Sequence, residues 1–182
     1  MPAGRVYRCL SRIAARTRKD ALVKVRPASL GDVEAVVELA AARRAHYETY
    51  QPVFWRPAAD AAARQRPHLA GLVEDPEVIT LVAVADHDEV MGYVIATVAP
   101  APPVYDPGGL TCMVDDFTVA DPRDWDTVGV ALLRAVSHAA AGRGAAQVVV
   151  VTAHLDEAKR AALAGSGLSV ASEWWVRPLD AQ

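Results

Sequence analysis

The first part of the chain contains apolar residues at two spacings, which predict one strand followed by helices. Residues 23–27 predict a short strand, and residues 28–32 form a turn. Apolar residues then recur at the spacing of one helix face up to about residue 50, at Val33, Val36, Val37, Ala40 and Ala41. Residues 51–75 contain three prolines, so this stretch predicts short helices joined by turns.

The middle of the chain predicts a hairpin and a third strand. Residues 78–85 are rich in β-branched side chains and are followed by the polar turn 86–88. A second run of this kind, 90–98, makes the pair a hairpin. The proline-rich loop 100–109 then leads to a third strand at 110–119.

The last part of the chain predicts alternating helices and strands. After a polar loop at 120–125, a helix is expected from 127 to about 141, ended by Gly142 and Gly144. Residues 146–152 are strongly apolar, which is typical of a strand covered on both faces. A helix is expected at 157–164 and a final strand at 168–178.

This order of elements predicts an α+β fold built on one sheet. The antiparallel strands come first, whereas the later strand–helix–strand unit needs a parallel, right-handed crossover. A mixed, largely antiparallel sheet with helices on both faces satisfies both requirements. The sequence has no internal repeat and no sign of a second domain, so residues 23–182 are predicted to form one domain.

Charge is distributed unevenly along the chain. Residues 1–24 carry seven basic groups against Asp20 alone, which leaves 12 of the 19 basic and 21 of the 22 acidic groups for the remainder. We interpret residues 1–22 as a basic N-terminal extension, because a targeting peptide would need a continuous apolar stretch and a cleavage signal. The acidic body argues against nucleic acid as the main ligand and suits a cationic substrate such as an amine.

The composition also narrows the compartment and the kinds of site. With 52% hydrophobic and 23% charged residues, the chain has a globular composition. Cys9 and Cys112 are far apart and have no metal-ligand spacing, so we expect a reducing, cytoplasmic location and no metal. No apolar run approaches the roughly 18–20 residues that cross a bilayer, so no membrane partner is expected. The oligomeric state stays open, a homodimer included.

One strand–loop–helix transition has the pattern of an anion-binding site. The predicted strand that ends at Val119 leads through a loop to a helix that begins near Gly129. The first turn of a helix presents unpaired N–H groups and a partial positive charge, so a pyrophosphate can bind there. A glycine at such a turn can also serve packing alone, and the pattern leaves both interpretations open.

Taken together, these segments resemble the GNAT superfamily of N-acetyltransferases from about residue 23 to residue 179. The resemblance rests on five short segments: Val25–Arg26–Pro27–Ala28 with Asp32, Gly92–Tyr93, Asp116–Phe117–Thr118–Val119, Gly129–Val130–Ala131–Leu132–Leu133 and Gly167–Leu168. It implies the GNAT fold, in which a parallel pair of strands splays apart, and acetyl-CoA as the acyl donor.

The resemblance also implies which residues hold the donor. The pantetheine arm would pair with the backbone of Phe117, Thr118 and Val119. The loop that binds the pyrophosphate falls on Asp126, Thr127, Val128, Gly129, Val130 and Ala131.

Two features depart from the pattern of the family. Asp126 stands where the family has arginine or glutamine, and a carboxylate near a phosphate is unfavourable unless a cation such as Arg123 compensates. Alternatively, Asp126 caps the helix that follows. The tyrosine that often protonates the departing thiolate is replaced by Leu163, and the donor-binding asparagine seven residues earlier by Asp156. His154 is a candidate substitute because imidazole titrates near neutral pH, although it can also be an ordinary loop residue.

Two carboxylates are candidates for the catalytic base. Asp115 and Asp116 occupy the position at which polyamine-type members of the family carry a Glu-Asp pair, and a carboxylate can take the proton of an amine. Because side chains alternate along a strand, we expect Asp115 to share its face with Phe117 and Val119 and to act as the base. Asp116 would bind substrate or support the structure. A solvated carboxylate pair is the alternative.

An aromatic wall for the amine is expected in the variable acceptor region of the family, unless the same rings belong to the core. Its members would be Tyr47, Tyr50, Phe54 and Trp55.

The sequence therefore favours an N-acetyltransferase that moves an acetyl group from acetyl-CoA to an amine of a small molecule, peptide or protein. A catalytically weak module of the same fold, which binds acyl-CoA or a partner protein, is the alternative, and the residues at 126 and 163 favour it. A dinucleotide-binding protein is disfavoured because no Gly-x-Gly-x-x-Gly follows a first strand.

Overall fold

A computed structural model describes residues 23–179, so the predicted extension at 1–22 lies outside the described residues. One five-stranded sheet has its strands in chain order. They are β1 (Lys24–Pro27), β2 (Val78–Val84), β3 (Val90–Ala99), β4 (Leu110–Val119) and β5 (Ala145–Val150). Neighbours are antiparallel from β1 to β4, and β5 is parallel to β4. The predicted mixed, largely antiparallel sheet is confirmed.

Within residues 23–179, four α-helices cover the two faces of this sheet. They are α1 (Val33–Tyr50), α2 (Ala61–Glu74), α3 (Val130–Ala141) and α4 (Glu157–Gly165). The apolar sides of α1 and α2 pack with Tyr93 and Ile95 of β3 in one core. The apolar sides of α3 and α4 pack with Val114 and Phe117 of β4 in the other. Among the described helices, none is long and apolar enough to cross a membrane.

An ion pair connects β1 to the start of α1. The guanidinium of Arg26 donates to both carboxylate oxygens of Asp32, at 2.8 and 2.9 Å. Asp32 is buried and also accepts from the backbone N–H and the hydroxyl of Ser29. Hydrogen bonding from Arg26 lowers the pKa of Asp32 to about 2, although burial opposes the shift. This pair fixes the direction in which α1 leaves the sheet.

The prediction of several short helices at 51–75 is wrong in its second half. Residues 61–74 form one helix, α2, with Pro67 inside it. A proline in a helix interior removes one backbone hydrogen bond and usually kinks or breaks the helix. Here Leu69 is buried in the core beneath α2, with Leu72 and Val73 packed beside it. Burial of this apolar side compensates for the lost hydrogen bond.

The two predictions for the end of the sheet need correction. Residues 168–178 form no strand in the structure, and Trp174 and Trp175 are 81% and 90% exposed. A β-branched and aromatic sequence becomes a strand only where a neighbouring strand pairs with it. Within the described residues β5 is therefore an edge strand. It is not covered on both faces, since Ala146 and Gln147 are exposed.

Candidate functional site

A bulge in β4 sets the direction of the two candidate carboxylates. Asp116 pairs with Ile95 and Val114 with Ala96, so Asp115 has no opposite residue on β3. An extra residue of this kind interrupts the alternation of side chains. The prediction that Asp115 shares its face with Phe117 and Val119 is therefore wrong.

Both carboxylates line the same pocket between α2 and the sheet, which we call the α2 pocket. Its volume is about 270 Å³, and Gln65 and His68 of α2 form part of its wall. Phe117, in contrast, points into the core beneath α3. Asp115 is partly exposed to solvent, and its partial burial, followed by the charge of Asp116, raises the pKa of Asp115 above its ordinary value. A carboxylate whose proton affinity is raised is better suited to accept a proton near neutral pH.

Asp116 is held in a polar network beneath the sheet. Arg43 of α1 forms an ion pair with it at 2.7 Å, and the buried hydroxyl of Tyr93 donates to the same carboxylate oxygen. Burial lowers the pKa of Arg43, but the charge of Asp116, the two tyrosines at 93 and 47 and the hydrogen bond to Asp116 together raise it, and the net pKa is raised. This arrangement is consistent with the supporting role expected for Asp116.

The parallel strands β4 and β5 part in the middle of β4. Their last pair is Val114 with Val150, and the N–H of Val151 donates to the carbonyl of Val114 at 3.1 Å. Beyond this point β5 has ended, and residues 115–119 of β4 have no partner on that side. We call this opening the wedge. The predicted splayed pair is thus present, and Phe117, Thr118 and Val119 lie on its β4 side.

A lysine that the sequence reasoning missed bridges the wedge. Lys159 of α4 is 1% exposed, and its side-chain nitrogen donates to the carbonyls of Phe117 at 3.0 Å and Val151 at 2.9 Å. The nitrogen also lies over the rings of Phe117 and Trp125, at 5.1 and 5.4 Å from their centroids. Lys159 precedes the buried Leu163 by four positions, which places both on one helix face. This spacing of four residues is the sequence feature that could have identified Lys159 as a buried residue.

Arg43 was missed as well, although its position follows the same rule. The buried positions of α1 include Val36, Ala40 and Tyr47. Arg43 lies three residues after Ala40 and four before Tyr47, so it continues the buried side of the helix. Its guanidinium also lies over the ring of Tyr47, at 5.7 Å from the centroid.

The start of α3 shows why residue 129 is a glycine. Residues 125–129 form a wide π turn before the regular helix, and Trp125 is buried within it. A Cβ on Gly129 would lie 2.4 Å from Cε3 of Trp125, and the ring of Trp125 in turn packs edge-on against Phe117 at 4.8 Å. The absence of a side chain at 129 therefore makes room for Trp125. The structure thus supports a packing role for Gly129, while contact of its backbone N–H with a pyrophosphate stays a prediction.

Asp126 is not the helix cap. Because the helical turn begins at Trp125, its N-cap position belongs to Asp124, and Asp126 lies exposed within the first turn. A carboxylate there is favoured by the helix dipole. The exposed first turn also includes Thr127, whereas Val128 packs against β3 near Gly92.

A groove between α3 and α4 opens next to this turn, and we call it the α3–α4 groove. Its volume is about 890 Å³, and its α4 wall consists mainly of small residues, Ala158, Ala161, Ala162 and Gly165. Asp126, Val130 and the arginines at 123 and 134 line the α3 side. Arg123 also forms an ion pair with Asp121 at 2.5 Å. Arg123 and Arg134 thus place two positive charges on the same side of the groove as Asp126.

Asp156 serves a local structural role at the start of α4. Its Oδ1 accepts from the backbone N–H of Lys159 at 3.2 Å, which caps the helix. Its Oδ2 accepts from the hydroxyl of Tyr47 at 2.7 Å. Burial, and then the charge of Asp156, raise the pKa of Tyr47 well above its ordinary value. Both carboxylate oxygens therefore have protein partners in the structure, while binding of a donor by Asp156 stays a prediction.

The predicted aromatic residues form one cluster. The ring of Trp55 lies 5.0 Å from that of Tyr47 and 4.8 Å from that of Phe54. Tyr50 packs beside Tyr47 at 5.8 Å, and Trp174 of the C-terminal segment meets Phe54 at 5.9 Å. Phe54 is exposed whereas Tyr47 is buried, so the cluster has one side in the core and one at the surface.

His154 lies apart from the two cavities. It is exposed in the turn between β5 and α4, and its backbone carbonyl accepts from Arg160 at 2.6 Å. It lines neither the α2 pocket nor the α3–α4 groove. Its role as a proton donor stays a prediction that this position does not favour.

Comparisons with known proteins find similar structures but no similar sequence among family models or curated proteins. No family model and no curated protein matches this chain. A mutant of the BH1408 protein from Bacillus halodurans is similar in structure, with a TM-score of 0.74 at 15% identity, covering 86% of this chain and 99% of that one.

Two further solved structures are acetyltransferases by name. One is a predicted acetyltransferase from Clostridium acetobutylicum, determined with acetyl-CoA, with a TM-score of 0.66 at 13% identity, covering 86% of this chain and 96% of that one. The other is a ribosomal-protein-alanine N-acetyltransferase from Brucella melitensis biovar Abortus, with a TM-score of 0.59 at 18% identity, covering 87% of this chain and 99% of that one. The sheet order, the splayed strand pair and these likenesses agree, and the chain has the GNAT fold.

Proposed function

We propose that the protein is an acetyl-CoA-dependent N-acetyltransferase. The observation that carries this proposal is the wedge between β4 and β5, which lies beside the start of α3 and the α3–α4 groove. A long, thin thioester needs a channel of this kind, with free backbone on one side for its amides and a helix start for its phosphates.

The residues present fit such a donor. Small side chains on α4 leave the groove open. On the α3 side, Arg123 and Arg134 line the groove together with Asp126 and offset its negative charge. The backbone of residues 117–119 would hold the pantetheine arm, and the first turn of α3 would face the phosphates. The donor supplies the activated acetyl group.

The acceptor amine would enter from the α2 pocket. Its two carboxylates, Asp115 and Asp116, suit a cationic group. Asp115 would take the proton of the amine, since its pKa is raised, first by burial and then by the charge of Asp116. Asp116 would keep its ion pair with Arg43 and hold the β4 bulge in place. The exposed side of the aromatic cluster at Phe54 and Trp55 would contact the remainder of the acceptor.

A second candidate is a module of the same fold that binds acyl-CoA without turnover. Two observations favour it: Leu163 cannot donate a proton, and the carbonyl of Phe117 already accepts from Lys159.

A thiol-release assay separates the two candidates. Purified protein with acetyl-CoA would be tested against polyamines, aminoglycosides and N-terminal peptides, with mass spectrometry of the products. Release of CoA together with an acetylated amine supports the enzyme, and an Asp115→Asn variant should lose it while Asp86→Asn, at an exposed turn, should not. Binding of acetyl-CoA without release for any amine would favour the module, and absence of both would contradict both candidates.

A further inference from the structure

The buried amine of Lys159 has no role in the mechanism above. A lysine side chain is strongly hydrated and is almost never fully buried without a partner. Lys159 is fully buried, and its two hydrogen-bond partners are neutral carbonyls, those of Phe117 and Val151, not carboxylates. Two aromatic faces, Phe117 and Trp125, complete its surroundings.

The hydrogen bonds of Lys159 match the neutral form of the amine better than the charged one. An ammonium has three N–H donors, whereas a neutral amine has two donors and one lone pair. The structure gives the nitrogen two acceptors. Both N–H groups of a neutral Lys159 therefore have an acceptor, and a charged Lys159 has one further N–H to give.

The charged groups around Lys159 keep the two forms close in free energy. Burial, and then the positive charge of Arg43, lower the pKa of Lys159 to about 7, while the carboxylates of Asp156 and Asp116 oppose the shift. Arg43 and Asp116 face it from α1 and β4, and Asp156 from the start of α4. Both protonation states are consequently populated near neutral pH.

In the proposed binding mode, the nitrogen of Lys159 lies near the reactive end of the donor. The α3 start would hold the phosphates, so an arm that runs back along β4 from there reaches Phe117 near the point where β4 and β5 part. The nitrogen of Lys159 bonds to the strands on both sides of that point, Phe117 on β4 and Val151 just after β5. Lys159 also lies one helical turn before Leu163, which occupies the place of the usual proton donor.

We propose that Lys159 is the proton donor to the departing thiolate of CoA, an inference that rests on the proposed function. As the amine nitrogen bonds to the acetyl carbon, the carbon–sulfur bond breaks and its electron pair stays on sulfur. Lys159 transfers the third proton of its ammonium to that sulfur and becomes a neutral amine, which its two carbonyl partners satisfy. The proton that the acceptor amine loses passes through Asp115 to solvent, and Lys159 regains a proton from solvent.

The competing role is that of a brace, in which Lys159 holds β4 and α4 together and never contacts the donor. Lysine-selective NMR of the unmodified protein separates the two roles without turnover. The chain has three lysines, Lys19, Lys24 and Lys159, so the side-chain signal of Lys159 is assigned by its loss in a Lys159→Met variant.

The NMR titration would compare free CoA with desulfo-CoA, which lacks the sulfur atom. We expect the Lys159 signal to titrate near neutral pH in the free protein, and CoA to move that midpoint by half a pH unit or more, because the amine and the thiol of CoA then titrate as a coupled pair. Desulfo-CoA should bind and leave the midpoint within about 0.2 of the free protein. Equal midpoints with the two ligands would overturn the proton-donor role while leaving donor binding intact. Failure of both ligands to bind would overturn the proposed function and this inference with it.

Kinetics of two variants supply the second test. Arginine keeps the charge and the hydrogen bonds but does not release its proton, so Lys159→Arg and Lys159→Met should both lower kcat by about 10²–10⁴. The KM for acetyl-CoA should change less than about threefold in a folded variant, since Lys159 acts in the transfer step. Wild-type kcat in Lys159→Arg would mean that Lys159 is a brace.

Discussion

The side-chain nitrogen of Lys159 lies 3.0 Å from the backbone carbonyl oxygen of Phe117, and this hydrogen bond joins α4 to the open edge of β4. The same edge is where the proposed donor would pair. In the proposed complex the sulfur of the donor lies beside this amine, so donor binding and the protonation state of Lys159 are coupled.

Burial of Lys159 predicts an unusual pH dependence of stability. Below pH 7 both the folded and the unfolded chain carry its proton, whereas between about pH 7 and the ordinary lysine value of 10.5 only the unfolded chain does. The folded state is thus favoured as pH rises through this window, by about 1.4 kcal/mol for each pH unit. Urea denaturation from pH 6 to pH 10 should show this slope in the difference between wild type and Lys159→Met. The matched variant Lys24→Met, at an exposed position of β1, is the control for the effect of removing a surface lysine on the free energy of unfolding. A difference that stays flat across the window would mean that Lys159 keeps its proton when folded.

Gly129 is predicted to matter for stability. Gly129→Ala places a Cβ against the buried ring of Trp125, and overpacking of this kind costs about 1–3 kcal/mol. Gly71, inside α2, has no neighbouring atom within 4 Å of the corresponding Cβ, so Gly71→Ala should be stabilising by about 0.5–1 kcal/mol. Thermal denaturation of the two variants gives the comparison. An unchanged melting temperature in Gly129→Ala would show that the turn around Trp125 adapts without loss.

Asp126 is predicted to weaken donor binding. It lines the α3–α4 groove, and a carboxylate near a pyrophosphate is unfavourable, so Asp126→Arg should tighten the Kd for CoA about tenfold. This gain in affinity should shrink in high salt, because salt screens the attraction between an exposed side chain at residue 126 and the pyrophosphate. Asp86→Arg, at the exposed turn between β2 and β3, makes the same change of charge away from the groove and should leave the Kd within about twofold. Equal effects of the two variants in a calorimetric titration would mean that only net charge matters.

Substitution of the two carboxylates of the α2 pocket should have different effects, on the reaction rate for Asp115 and on stability for Asp116. Asp115→Asn should lower kcat by about 10²–10⁴ at neutral pH, with the loss shrinking at high pH where the acceptor amine is already deprotonated. Asp116→Asn removes the ion-pair partner of the half-buried Arg43, so its main effect should be a loss of about 1–3 kcal/mol in stability. Rate profiles against pH and urea denaturation measure the two effects. The reverse ranking would move the base to Asp116.

Local sequence patterns predicted much of the fold because hydrophobic spacing is a local signal. The third predicted strand coincides with β4, and the predicted helix at 33–50 coincides with α1. The final strand failed because strand formation depends on a partner, and residues 168–178 lie unpaired. Pro67 misled for a similar reason, since packing of α2 on the sheet outweighs the local preference.

The candidate site was predicted less completely because its features depend on contacts between distant residues. Nothing local marks Asp115 as the extra residue of a bulge, and the bulge places Asp115 on the same face as Asp116. Arg43 meets Asp116 from another element, and Lys159 reaches the carbonyl of Phe117 across the core. Both basic residues do continue the buried side of their helices, so helical spacing applied to charged residues would have identified them.

The measurement that tests this account most directly is a calorimetric titration of the protein with acetyl-CoA, beside two matched variants. Ala161→Trp places a large ring in the α3–α4 groove from an exposed position of α4, and Ala63→Trp makes the same change at an exposed position of α2. The account predicts one site per chain for acetyl-CoA in the wild type and in Ala63→Trp, and a loss of at least tenfold in affinity in Ala161→Trp. Absence of binding to the folded wild type, or equal binding by all three proteins, would contradict a donor site between α3 and α4.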